Sequence, residues 1–169
     1  MLDMILLGFL MDGEKTGYEI KKLMGRSTNF FFNMSFGSIY PAFRKLEQDS
    51  MVSSSETVRK GKLNRIYCIT EKGRAAFRNW MVLDPEIARI RDEALLKMFF
   101  YTHIDTETIR EQVSEYTGRL REQVESLEHL RERLLPHDID SWQMATLDFG
   151  IEYYSFMQKL YTGIMDEKE

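Results

Sequence analysis

The stretch Asn33 to Leu46, NMSFGSIYPAFRKL, decides the fold. Phe36, Ile39, Ala42, Phe43 and Leu46 recur at the period of an α-helix and predict an inward face. Gly37, Tyr40, Pro41, Arg44 and Gln48 lie opposite, flanked by Ser38 and Lys45. Pro41 has no amide proton, so it belongs in the first turn and places the helix start near Gly37 or Ser38. The unbonded amides of that turn, with the hydroxyls of Ser35 and Ser38, form an end suited to phosphate oxygens. Tyr40 and Arg44 project one turn apart, and an arginine fork can read guanine in the major groove. Taken alone, Arg44 and Lys45 also fit a solvated face with Glu47 or Asp49 as partners.

The residues that follow weigh against solvation alone. Val52 to Val58 and Leu63 to Ile69 read as strands, and Arg59-Lys60-Gly61-Lys62 reads as the turn between them, glycine supplying the positive φ. Arg59, Lys60, Lys62 and Arg65 at one tip repel each other unless an anion is near, and backbone phosphate is such an anion.

Upstream, Leu2, Ile5, Leu6, Phe9 and Leu10 predict a first helix that stops near Asp12-Gly13. Thr16-Gly17-Tyr18-Glu19 has the form of a capping box, so a second helix starts at Thr16 and buries Ile20, Leu23 and Met24. Phe30, Phe31 and Phe32 read as packing under a connector. Downstream, Thr70 caps a fourth helix whose Ala75, Ala76, Phe77, Trp80 and Met81 should close the core. Three helices, a strand, a wing, a strand and a helix make a winged helix-turn-helix.

Composition bounds the rest. The 169 residues carry 23 Lys/Arg against 27 Asp/Glu, a formal charge of -4. The charge is unevenly placed: residues 1–80 hold 13 basic and 8 acidic side chains, and residues 81–169 hold 10 and 19. A cationic front half can approach phosphate while an acidic half stays away. No apolar run approaches the roughly 20 residues of a membrane span, and the start lacks the marks of a secretory signal. A cytoplasmic protein with no membrane partner is expected. Cys68 is the single cysteine and reads as a buried strand residue.

Catalysis has no footing in these residues. His103, His129 and His137 lack metal-ligand spacing, so no metal and no cofactor is expected. No nucleophile elbow, P-loop or dinucleotide fingerprint occurs. Asp138 and Asp140 read as helix caps.

The second half reads as helical. Asp84-Pro85 breaks the chain, and a short helix is predicted from about Ile87 to Thr102. Ile109, Val113, Tyr116, Leu120, Gln123, Leu127, Leu130 and Leu134 then alternate steps of four and three, a coiled-coil seam capped by Asp105 and ended by Pro136. A last helix, about Ser141 to Met165, is apolar around much of its circumference: Trp142, Phe149, Tyr153, Phe156 and Leu160 are among its large side chains. Such a surface exceeds what one chain can bury and predicts a homodimer, assigning Ile109, Val113, Tyr116, Leu120, Leu127, Leu130 and Leu134 with those five residues to dimerisation. A space between subunits suits a small aromatic effector; a dimer core without ligand is the other reading.

Leu7-Gly8-Phe9-Leu10, Gly17-Tyr18-Glu19-Ile20, Ser35-Phe36-Gly37-Ser38-Ile39-Tyr40-Pro41-Ala42 and Tyr67-Cys68-Ile69-Thr70-Glu71-Lys72-Gly73-Arg74 together resemble the PadR family of transcriptional regulators. The likeness covers residues 2 to about 83. The remainder, with Arg91-Asp92-Glu93-Ala94-Leu95-Leu96-Lys97-Met98-Phe99-Phe100, resembles the longer subfamily whose helical C-terminal region is similar to that of virulence activators. The resemblance implies a homodimer on a pseudo-palindromic operator, more often a repressor than an activator.

The expected architecture is mainly α with a small β-hairpin wing: a winged helix-turn-helix DNA-binding domain over 1–83 and a helical dimerisation domain over 84–169, built on an antiparallel coiled-coil-like long helix. Double-stranded DNA is the expected partner, met by Ser35, Gly37, Ser38, Tyr40, Pro41, Arg44, Lys45, Lys60, Gly61, Lys62 and Arg65. The competing class is a winged-helix adaptor that binds protein and not specific DNA.

Overall fold

Helix α1 runs Leu2–Leu10 and buries Leu2, Leu6, Leu7 and Leu10. It ends at a turn in which Gly13, at φ 121°, donates its amide to the Leu10 carbonyl, a conformation that suits glycine because it carries no Cβ. A two-residue strand, β1 (Lys15–Thr16), leads into α2 (Gly17–Met24). The capping box is formed: the Glu19 amide donates to Thr16 Oγ1 at 3.2 Å, and the Thr16 amide donates to Glu19 Oε2 at 2.7 Å. A 3-10 turn over Phe36–Ser38 precedes α3 (Ile39–Gln48), so Pro41 sits in the first turn where its missing amide proton leaves no gap. The computed structural model describes residues 1–28, 31–32, 35–59 and 62–166.

Strands β2 (Val52–Arg59) and β3 (Lys62–Ile69) form the antiparallel hairpin, in register from Val52 opposite Ile69 to Arg59 opposite Lys62. β1 adds to the other side of β3, giving the sheet order β1-β3-β2. Helix α4 (Glu71–Met81) follows, its N-terminus capped by Thr70 Oγ1 accepting from the Gly73 amide. One core joins these elements: Leu6, Leu7 and Leu10 meet Ile20 and Met24 of α2, Ile39, Phe43 and Leu46 of α3, and Val52, Tyr67 and Ile69 of the sheet.

The second unit is helical. It holds α5 (Glu93–Phe99), α6 (Thr106–Leu134) and α7 (Ser141–Asp166). Asp105 caps α6 through the Thr108 amide at 2.9 Å, and Asp140 accepts from the Trp142 and Gln143 amides at the start of α7. The short connection folds α7 back along α6, and Arg131 of α6 meets Asp148 of α7 at 2.7 Å. The chain divides into compact units at Met1–Ile87 and Ala88–Glu169.

Several expectations are corrected. The helix expected from Ile87 begins only at Glu93, where Asp92 accepts from the Ala94 and Leu95 amides; Ile87 and Ile90 lie exposed ahead of it. Of the face assigned to α4, Phe77 is partly buried, Ala75 and Met81 are exposed, and Gly73 makes the close contact instead. A Cβ on Gly73 would stand 2.1 Å from the Met51 carbonyl oxygen, so this helix approaches backbone where a side chain cannot fit. Cys68 is exposed on the face of β3 opposite Tyr67 and Ile69, although Ile66, two residues earlier on its own face, is buried. Leu23 and Phe31 are exposed too, Phe32 is half-buried, and Phe30 lies outside the described residues.

Candidate nucleic-acid interface

Helix α3 is amphipathic at the boundary that matters. Ile39, Ala42, Phe43 and Leu46 are buried, whereas Ser35, Gly37, Tyr40, Pro41, Arg44 and Lys45 are exposed and Ser38 is half-buried. Burial of the first set fixes the rotation of the helix, and that rotation presents the second set to solvent.

Tyr40 has a built support. Its ring lies across Gly17 at the start of α2, where a Cβ would come within 2.8 Å of Tyr40 Cε1. Sequence reasoning missed this role for Gly17, although Gly17-Tyr18-Glu19 stood in the motif. Arg44 forms no ion pair with any described residue, so its guanidinium is available to a ligand. Ser38 donates its hydroxyl proton to the Ser35 carbonyl at 2.5 Å, which leaves its oxygen as an acceptor only.

Two of the expected cations are held within the fold. Lys45 Nζ reaches Asp3 of α1 at 2.6 Å, and hydrogen bonding to that carboxylate, with its charge, raises the ammonium pKa. Arg65 of β3 donates from Nη2 to both oxygens of Glu47 at 2.8 and 3.1 Å and from Nε to Ser54 Oγ at 2.8 Å. Ser54 in turn donates to Glu47 Oε1. Hydrogen bonding to Glu47 likewise raises the Arg65 pKa. Lys60 and Gly61 lie outside the described residues, as does the side chain of Lys62.

These contacts make α3 and the wing one piece. Phe43 stacks on Tyr67 with centroids 3.7 Å apart and planes 5° from parallel, and burial pushes the Tyr67 hydroxyl pKa up. One turn further along α3, Glu47 meets Arg65, whose guanidinium lies 5.8 Å from the Tyr67 ring. Ser54, Arg65 and Tyr67 share a face of the sheet because Ser54 pairs with Tyr67 across the ladder. A stacked pair and a hydrogen-bonded pair therefore dock the hairpin base onto the helix at two points.

In the second unit the seam of α6 is filled from within the same chain. Val113, Leu120 and Leu127 are buried, and Met157 and Tyr161 of α7 close over the first two, with Ile109, Tyr116 and Tyr154 alongside. Leu130, Leu134 and Leu160 are half-buried. Trp142 at 80% exposure, Phe149 at 62% and Phe156 at 60% remain open, with Tyr153 beside Phe149 in a stacked pair. The described residues contain no group of His, Cys, Asp and Glu that could hold a metal ion, and no described helix is long and apolar enough to cross a membrane.

An exposed helix docked on a hairpin, over a core of three helices, defines a winged helix-turn-helix protein. Residues 6–79 match the transcriptional regulator PadR-like family, and residues 90–159 match the virulence activator alpha C-terminal region. The chain thus joins a PadR-like domain to a virulence-activator-type C-terminal region. Its sequence is 22% identical over 152 residues to the negative transcriptional regulator PadR of Bacillus subtilis, covering 89% of this chain and 83% of that one. The fold is similar to the crystal structure of Bacillus subtilis PadR in complex with operator DNA, at TM-score 0.91, 19% identity and 99% of both chains. It is also similar to the PadR-like regulator BC1756 of Bacillus cereus, at TM-score 0.86, 28% identity, 99% of this chain and 97% of that one. Bacillus subtilis PadR has also been crystallised with p-coumaric acid, and that structure aligns at TM-score 0.84 and 19% identity, over 98% of this chain and 97% of that one.

Proposed function

We propose that the chain is a homodimeric repressor that binds a pseudo-palindromic operator and answers to a small aromatic effector. Each copy inserts α3 into a major groove, with Tyr40 and Arg44 at the base edges and Ser35, Gly37, Ser38 and Pro41 against the backbone at the helix entrance. Lys60, Gly61 and Lys62 carry the wing tip along the flanking phosphates.

The observation that carries this reading is the exposed α3 face, with Arg44 unpaired among the described residues and Tyr40 held by Gly17. The relative crystallised on operator DNA supports the ligand class, and the relative named a negative regulator supports repression. Exposed Trp142, Phe149, Tyr153 and Phe156 support a second copy as the cover for α7. The p-coumaric acid complex of the relative supports an aromatic acid as the effector class.

A gel shift with duplex from the chain's own upstream region, competed by random duplex, tests the reading. Arg44→Ala should lower discrimination between the two by about 5-fold to 150-fold for each half-site read, the worth of a bidentate base contact. Equal losses on both duplexes would make Arg44 a phosphate contact, and no shift at low salt would favour the adaptor class.

A further inference from the structure

We propose that Glu47 is a positioning residue that withdraws Arg65 from the phosphate-binding set and uses it to fix the wing on α3. The inference rests on the DNA-binding reading and goes beyond it, because it divides the hairpin's cations into two kinds. Sequence counts Arg65 with Arg59, Lys60 and Lys62 as one cationic tip. The geometry separates it.

The Arg65 guanidinium has five N–H donors. Three of its contacts already go to its own chain: Nε to Ser54, and Nη2 to both Glu47 oxygens. Ser54 closes the ring by donating to the same carboxylate. Glu56 stands opposite Arg65 in the ladder and adds negative charge. A single exposed ion pair is weak and easily exchanged, but here the fork is engaged on two sides, and its ring neighbour Tyr67 is itself stacked on Phe43. A phosphate would have to displace a carboxylate that the helix already places one turn beyond that stack.

The consequence is a division of labour. Arg65 contributes orientation, and its charge is neutralised before DNA arrives, so it releases no counterion on binding. Binding then rests more on the base-reading side chains and less on sequence-blind charge. Removing the Glu47 charge should reverse this and make the protein bind any duplex more strongly.

The test measures binding of the full-length chain to a random-sequence 30-base-pair duplex by fluorescence anisotropy across a salt series, using wild type, Glu47→Gln, Arg65→Gln and the double variant. Arg65→Gln should leave the slope of log K against log salt at the wild-type value. Glu47→Gln should steepen it by about 0.9 for each chain bound, as one further phosphate is neutralised. The double variant should return to wild type. A shallower slope in Arg65→Gln alone would mean that Arg65 already holds phosphate, and the proposal fails. An unchanged slope in Glu47→Gln, or equal steepening with and without Arg65, also overturns it, the latter by reducing Glu47 to simple repulsion. Absence of wild-type binding at low salt defeats the DNA-binding reading itself, and the proposal with it.

Should Glu47→Gln fold poorly, the wild-type chain supplies a second readout. The Arg65 Nε–H signal in proton-nitrogen NMR should be slow to exchange and should keep its shift when the random duplex is added. A large shift on adding the duplex would contradict the proposal.

Discussion

The two units solve burial differently. In the first, α1, α2, α3 and the sheet enclose Leu6, Leu7, Leu10, Ile20, Met24 and Phe43 with essentially no exposure. In the second, α6 and α7 close over Val113, Leu120, Leu127, Met157 and Tyr161, while Trp142, Phe149 and Phe156 stay open to solvent. A two-helix hairpin has too little interior to hide so many rings, since each helix offers its partner a single stripe. The core of the first unit is enclosed by its own elements, and on the proposed reading that of the second is completed by another copy of the chain.

Substitutions can break this contrast. Phe43→Ala removes a fully buried ring and the stack that docks the wing, and should destabilise the first unit by about 3–5 kcal/mol. Thermal melting followed by circular dichroism should then show two transitions, with the helical signal of α6 and α7 surviving the first. A single cooperative transition at the wild-type temperature would deny Phe43 its place in the core.

Phe149→Ser with Phe156→Ser should act in the opposite way. Both rings are exposed, so the fold of the chain should persist while self-association weakens by at least about tenfold, as expected when apolar anchors leave an interface. Sedimentation velocity at micromolar concentration reads this directly. Unchanged dimerisation would move the interface elsewhere.

Thr16→Ala sharpens the comparison at its small end. It deletes one half of the capping box on α2, and the first unit should lose about 1 kcal/mol with no effect on association. Chemical denaturation measures it, and a loss near zero would mean that the β1 pairing, not the cap, holds the start of α2.

Much of the fold was legible because its signals are local. The capping box at Thr16, the apolar period of α3, the strand-like composition of the hairpin and the Asp105 cap each lie within a few residues of what they organise. The ends of β2 and β3 fell close to expectation for that reason. What escaped depends on distant partners. Glu47 lies 18 residues from Arg65, and Asp3 lies 42 from Lys45, so no spacing rule announces either pair. Without those partners both cations read as DNA contacts. β1 is two residues long and exists only because β3 has an open edge there. The contact of Gly73 with Met51 and that of Gly17 with Tyr40 are likewise tertiary, although a glycine early in a helix is a signal that could have been read as close approach. The seam of α6 was visible, but a heptad pattern does not say whether its partner is another chain or the next helix of the same one.

On the proposed reading, two copies of this chain grip one duplex through α3 and the wing. Sedimentation equilibrium of the full-length chain with duplex from its own upstream region, at low salt, tests it most directly. The expected result is a complex of two chains per duplex that dissociates steeply as salt rises. A chain that stays off the duplex, or binds it as a single copy, would contradict it.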